Sequence, residues 1–249
     1  MKLRIFSIPV LMAAMVLSTP VHAQIMDMPL MALNTVPDVD DGEKTPDITV
    51  AMVYYKLAGR APDYNAWAMQ TDDYKQAGDL QKSVVLDQEV SSLRSVFSLT
   101  TLAEPIVVRQ LVTLSEYSPK NGGFSIETFK DDTFFGYSFG GMNYAVVVPD
   151  LANYQWQPVD IDPAGVIDLE AQKNNRTLMA TLYIRPTMAD TRAELPLGDK
   201  NYWLISGELQ RLTLSAPGRS KPLLERVIGG STVDAKPNEE ILNLYQNQK

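Results

Sequence analysis

The chain has 249 residues, with 22 basic and 30 acidic side chains, a formal net charge of −8, one histidine and no cysteine. An acidic balance without a basic cluster makes a poor binder of nucleic acid or anionic lipid, and a cysteine-free chain has no disulfides. The one histidine, His22, lies in a segment that reads as a cleaved signal, so the rest lacks Ser-His-Asp and Cys-His nucleophiles and the usual zinc, haem and iron–sulfur ligand sets.

Residues 1–23 have the form of a secretory signal. Lys2 and Arg4 give a positive start, Ile5 to Leu17 is apolar apart from Ser7 and Pro9, and Val21-His22-Ala23 is a small-x-small cleavage site. The apolar run is shorter than the ~20 residues of a membrane span, and no cysteine stands at the cleavage point to carry a lipid anchor. The expectation is a periplasmic or secreted protein, cleaved near Ala23, with no transmembrane segment in the mature chain.

Residues 24–44 read as an irregular leader, broken by Pro29, Pro37 and an acidic run from Asp38 to Gly42. Met26, Met28 and Met31 have the softness for a Cu(I) site. They equally suit an apolar arm of adaptable side chains lying in a groove. The sequence leaves both open.

Thr45 to Ala77 reads as two short helices with a tight turn. Thr45 supplies a capping hydroxyl, Pro46 a first helical position and Asp47 an acid in the first turn. Ile48, Ala51, Met52 and Tyr55 follow at helical spacing. Gly59 to Pro62 breaks the run, and Tyr64, Trp67, Ala68 and Thr71 repeat the spacing after Pro62-Asp63. Val50, Val53, Tyr54 and Leu57 make the first helix apolar on more than one face, so it is buried on two sides or covered by a partner. Leu86, Val90, Leu93 and Phe97 predict a third helix to about Leu102, closed by Pro105.

From Ile106 the pattern turns to strand, through Ile106-Val107-Val108 and Leu111 to Leu114, up to a turn at Ser118 to Gly123. Phe124 to Val148 then reads as a three-stranded antiparallel meander, with Gly140-Gly141 as a primed two-residue hairpin turn. Gly136-Tyr137-Ser138-Phe139-Gly140 matches G-x-S-x-G. A nucleophile elbow needs a strand–turn–helix context and a histidine base, and neither is present here.

Asp150 to Asn175 reads as loop-rich, with Trp156, Pro158 and Pro163. Asp160, Asp162 and Asp168, with Gly165 between them, partly imitate a calcium loop, but Ala171 stands where the closing glutamate belongs and Ala164 where an oxygen ligand belongs. Asx-turns around Pro163 explain the same residues. The last strands are Leu178 to Arg185 and Tyr202 to Ser215, with Thr187 to Lys200 connecting them and Gly207 as a bulge that absorbs a change of parity. Arg219, Lys221 and Arg226 form a basic turn, which offers an anion contact although such turns are ordinarily solvated surface. A short helix from Asn238 to about Tyr245 ends the chain.

These elements predict an α+β fold, with N-terminal helices packed on an antiparallel sheet of about six or seven strands. Residues 45–249 are read as one domain behind the signal and the leader. No catalytic, cofactor or metal residue stands in a recognisable context, and no cofactor is expected. The first functional expectation is an exported, non-catalytic component or adaptor of a cell-envelope assembly that binds another protein. The second is a periplasmic carrier of a small apolar or glycan ligand, lined by Phe134, Phe135, Tyr137, Phe139 and Tyr144. The third is a carboxylate-based glycan hydrolase, since acids are plentiful.

Overall fold

The computed structural model describes residues 44–219 and 221–228, with the backbone of 236–237. The signal, the leader with Met26, Met28 and Met31, and the C-terminal helix from Asn238 lie outside the described residues.

Helix α1 (Asp47–Leu57) carries Asp47 in its first turn and Lys56 in its last, each placed to suit the helix dipole. Pro46 occupies its N-cap, and no side chain caps it. The Thr45 hydroxyl, expected to cap this helix, accepts a hydrogen bond from the Val107 N–H instead (2.7 Å). The second predicted helix is two. α2 (Tyr64–Ala68) is capped by the Asp63 carboxylate on the Ala66 N–H, and α3 (Asp72–Gln76) by the Thr71 hydroxyl on the Tyr74 N–H. α4 (Lys82–Leu99) follows, and buries only Leu93.

The strands are β1 (Ile106–Thr113), β2 (Gly123–Ser125), β3 (Phe134–Phe139), β4 (Met142–Val147), β5 (Trp156–Pro158), β6 (Thr177–Ala189), β7 (Leu195–Leu197), β8 (Lys200–Ser215), β9 (Pro222–Val227) and β10 (Lys236–Pro237). Eight of them form a mixed, mostly antiparallel sheet along the path β1-β6-β8-β4-β3, with β9 and β7 also on β8 and β10 on β9. The fold is therefore α+β. Its long strand β8 branches the sheet. Its first half pairs in parallel with β4, from Tyr144↔Trp203 to Val147↔Ser206, and its second half pairs with β9, from Arg211↔Val227 to Ser215↔Pro222. β6 runs antiparallel along the other side of both halves.

Two bulges let one strand serve both partners. Tyr183 faces Arg211 but Ile184 faces Leu209, so Gln210 is an extra residue on β8; Thr187 is the extra residue on β6. The bulge at Gln210 changes the side-chain parity, so Ile205 and Leu209 share the main core with Leu212 and Leu214. The sequence signal of a slip is correct, but its site is Gln210 and not Gly207. Gly207 answers a different need. A Cβ there would overlap Ile184 Cγ2 and lie 2.9 Å from the Arg185 carbonyl oxygen.

The sheet curls around α1. Val50 to Tyr55 are each at most 8% exposed, so this helix is buried on all its apolar faces. Tyr54 packs against the rings of Tyr144 on β4 and Trp203 on β8, at 5.5 and 5.6 Å between centroids. The start of α1 holds both ends of the sheet path. The Thr45 backbone N–H donates to the Val107 carbonyl on β1 (3.0 Å), and Asp47 accepts from the Ser138 N–H on β3 (3.0 Å). In a flat sheet the outer two of five strands stand about 19 Å apart, whereas two residues of chain span only about 7 Å.

Four further expectations are corrected. The helices are not gathered in one N-terminal layer: α2 and α3 pack on α4, and a fifth helix, α5 (Ile161–Lys173), lies mid-chain against β6 and β9. That helix occupies the stretch read as loop-rich, with Pro163 in its first turn, where the missing N–H is tolerated. The meander has only two strands. β3 and β4 pair through the Gly140-Gly141 turn, both glycines having positive φ as a primed turn requires, but β2 pairs with β5 in a separate two-stranded sheet. The connection after β6 is also shorter than expected, because β6 runs on to Ala189 and β7 forms a hairpin with β8. No helix among the described residues is long and apolar enough to cross a membrane.

Candidate functional site

The outer face of the sheet, turned away from α1, differs between its two halves. Over β3, β4 and the first half of β8 it is apolar: Phe134, Ala145, Val147, Tyr202 and Leu204 are covered by Leu197 of the β7 hairpin. Over β1, β6, the second half of β8 and β9 it is polar. Register places Arg109, Thr181, Thr213 and Glu225 side by side in one row across four strands. Arg211 stands beside Tyr183 in the next row, and Ser215 beside Met179 in the row on the other side.

All of these except Met179 line a recess of about 200 Å³, which Arg219 joins from the turn after β8. Arg109, Thr181 and Ser215 are each at most 9% exposed and make its floor. The Arg211 guanidinium lies 3.6 Å from the centre of the Tyr183 ring, a stacked cation–π contact that fixes its plane. Its Nη1 is 3.4 Å from Glu225 Oε1, and Arg219 Nη1 is 4.0 Å from Glu170 Oε2. Both ion pairs are longer than the ~2.7–2.9 Å of a strong charge-assisted bond. The Arg211–Glu225 pair is also about 40% exposed on each side, a setting in which such pairs contribute at most about 1 kcal/mol. Arg211 and Arg219 are therefore loosely held by these carboxylates, and a better acceptor can displace them.

A wider cleft of about 580 Å³ opens at the two bulges, beside Thr187 and Gln210. Its one lining cation, Arg185, is already joined to Glu208 in an ion pair, and Asp150 is a second acid on its wall. A third polar cluster surrounds Arg60, whose guanidinium sits 5.4–5.9 Å from the rings of Tyr54, Tyr55 and Trp203. The Tyr54 hydroxyl donates to the Asp190 carbonyl oxygen (3.0 Å). Burial raises the hydroxyls of Tyr54, Tyr55 and Tyr144 above the ordinary tyrosine range. Hydrogen bonding to Arg192 holds the Asp190 carboxyl below the usual carboxylate range.

The residues singled out in the sequence have other partners. Asp160 is the N-cap of α5, and Asp162 and Asp168 lie on that helix. Asp168 accepts from Arg176 Nη1 (2.7 Å) and from Gln172 Nε2 (2.6 Å). The three do not wrap an ion, and no group of three or more potential metal ligands occurs among the described residues. Ser138 of the G-x-S-x-G match lies within β3 and donates to Asn143 Oδ1 (2.8 Å). Phe135, Tyr137 and Tyr144 fill the main core, Phe134 the smaller one, and Phe139 packs on Trp67 (5.1 Å between centroids). They are packing residues, and Phe139, with Trp67, also borders a surface recess of about 420 Å³. The two buried acids among the described residues, Glu170 and Asp190, each face a cation: Lys173 Nζ at 2.8 Å and Arg192 Nη2 at 2.7 Å.

Of the basic turn, only Arg219 reaches the recess. Arg226 donates to the Trp156 carbonyl oxygen (3.2 Å) and lies over the Tyr154 ring at 5.5 Å. Arg109 and Arg211 escaped notice in the sequence, where each appears only as a charge within a strand. No family model, curated protein or solved structure matches the chain.

Proposed function

We propose that the protein is an exported, non-catalytic binding protein that acts as a component or adaptor of a bacterial cell-envelope assembly. Export is supported by the positive start, apolar run and Val21-His22-Ala23 site of residues 1–23, and in this reading residues 45–249 work as one domain. The binding role is carried by one observation: three arginines converge on a hydroxyl-lined recess in a chain of net charge −8. Arginine is the side chain suited to multidentate recognition of carboxylate and phosphate groups, and the recess opens on a sheet face where another molecule can present such a group.

The test is a pull-down of the tagged protein, Gln24 to Lys249, from its native envelope. The expected result is a stoichiometric partner that the Arg211→Glu, Arg219→Glu double variant fails to retain. An empty pull-down, or equal recovery by the variant, would overturn the proposal.

A further inference from the structure

We infer that the recess binds a tetrahedral oxyanion, a phosphate or sulfate group carried as a monoester or free; this rests on the binding role proposed above. The donor set decides the class. A guanidinium offers five N–H groups in a planar fork, and a hydroxyl one donor that rotates to suit. Here forks come from β1 (Arg109), β8 (Arg211) and the following turn (Arg219), and hydroxyls from Thr181, Thr213 and Ser215. A planar carboxylate, with two oxygens, is satisfied by one fork. Three forks and three hydroxyls, drawn from three strands and a turn, match an anion with oxygens directed to several sides.

Size points the same way. At roughly 30 Å³ for each water-sized group, a recess of about 200 Å³ accepts a phosphate or sulfate and a short stem. A nucleic-acid strand needs an extended basic track, which this acidic chain does not present. The existing carboxylates set an exchange. Glu225 and Glu170 stand 3.4 and 4.0 Å from Arg211 and Arg219, and an incoming oxyanion forms shorter bonds to the same guanidinium groups. Tyr183 keeps the plane of Arg211 while its partner changes.

The experiment is isothermal titration of the Gln24–Lys249 protein with inorganic phosphate, sulfate, phosphoethanolamine and acetate at constant ionic strength. Saturable binding of phosphate, sulfate or the monoester, at least tenfold tighter than acetate, is expected. Arg211→Met should weaken it tenfold or more, and Arg185→Met, in the other cleft, should leave it unchanged. Arg219→Met, on an exposed turn, decides the matter if Arg211→Met does not fold. Absence of saturable oxyanion binding, parity with acetate, or full affinity in both recess variants would overturn the inference. Sedimentation with neutral vesicles doped with phosphatidic acid separates the sources: capture by vesicles assigns a lipid headgroup, and binding of soluble anions alone assigns a free or peptide-borne group. Oxyanion binding with an empty envelope pull-down keeps this ligand class and removes the partner proposal. A captured partner without oxyanion binding does the reverse.

Discussion

Asp47 accepts the backbone N–H of Ser138 across 91 positions of sequence, at 3.0 Å. The bond places the first turn of α1 on the outer edge of β3, while Thr45, two residues earlier, holds the edge of β1. Edge strands expose backbone groups that invite unwanted pairing, and here one short segment covers part of both. Asp47→Ala should lower stability by about 1 kcal/mol, the usual net value of a partly exposed hydrogen bond. Asp47→Asn, which keeps an acceptor oxygen, should lose less. Urea unfolding of the two variants beside wild type measures both, and equal midpoints for all three proteins would remove this role.

The two glycines of the β3–β4 turn should behave differently when substituted. Gly140 and Gly141 both have positive φ, at 63° and 78°. Alanine at Gly141 meets nothing within 4 Å, whereas alanine at Gly140 would run into the Trp67 indole, with Cε2 at 2.8 Å. Gly141→Ala should cost about 1–2 kcal/mol for the left-handed backbone alone. Gly140→Ala should add a further 1–3 kcal/mol or so of overpacking. Thermal unfolding of the pair tests this, and similar losses would show that Trp67 yields freely.

Tyr54 and Tyr144 are in ring contact, yet their hydroxyls have opposite fortunes. Tyr54 donates to the Asp190 carbonyl, while the buried Tyr144 hydroxyl has no partner among the described residues. Tyr144→Phe should raise stability by about 1 kcal/mol, and Tyr54→Phe should lower it by about as much. Both hydroxyls are raised by burial, so the folded state keeps their protons longer than the unfolded chain does. Stability is thus intact below about pH 10, the unfolded tyrosine value, and falls above it. Tyr144→Phe should shallow that alkaline fall, and an identical alkaline limb would contradict the assignment.

Asp190 gives the opposite pH signature. Its carboxyl is lowered by the hydrogen bonds from Arg192, so the unfolded chain takes up its proton first as pH falls. The pair's contribution is complete above the unfolded value of about 3.9 and disappears as pH drops through the lower folded value. In urea titrations from neutral pH into acid, Asp190→Asn should flatten the curve below about pH 4. Two parallel curves would show that the pair adds nothing.

Much of the fold was legible where the signal is local. The spacing around Met52 and Tyr55 marks α1, the alternation from Met142 marks β4, and Gly140-Gly141 marks the turn between its strands. What escaped was set by distant partners or masked by composition. Phe124 and Ile126 alternate correctly, but β2 finds its partner some thirty residues on, in β5. Pro163, Gly165 and the surrounding acids imitate a loop although they begin a helix. The recess was hidden for the same reason as the β2 pairing. Arg109 and Arg211 become neighbours only through β6, and neither has any local signature beyond a charge within a strand.

The branching of the sheet at β8 fixes when this protein is able to fold. β8 joins β6, β4, β7 and β9, and it begins at Lys200. Until it is available, β3–β4 and β1–β6 are separate fragments and α1 has no continuous surface to enter. Pairings of such long sequence separation also close slowly. If the chain is exported N-terminus first, as proposed, the sheet cannot close until β8, which begins at Lys200, has arrived, and the tertiary structure then assembles late.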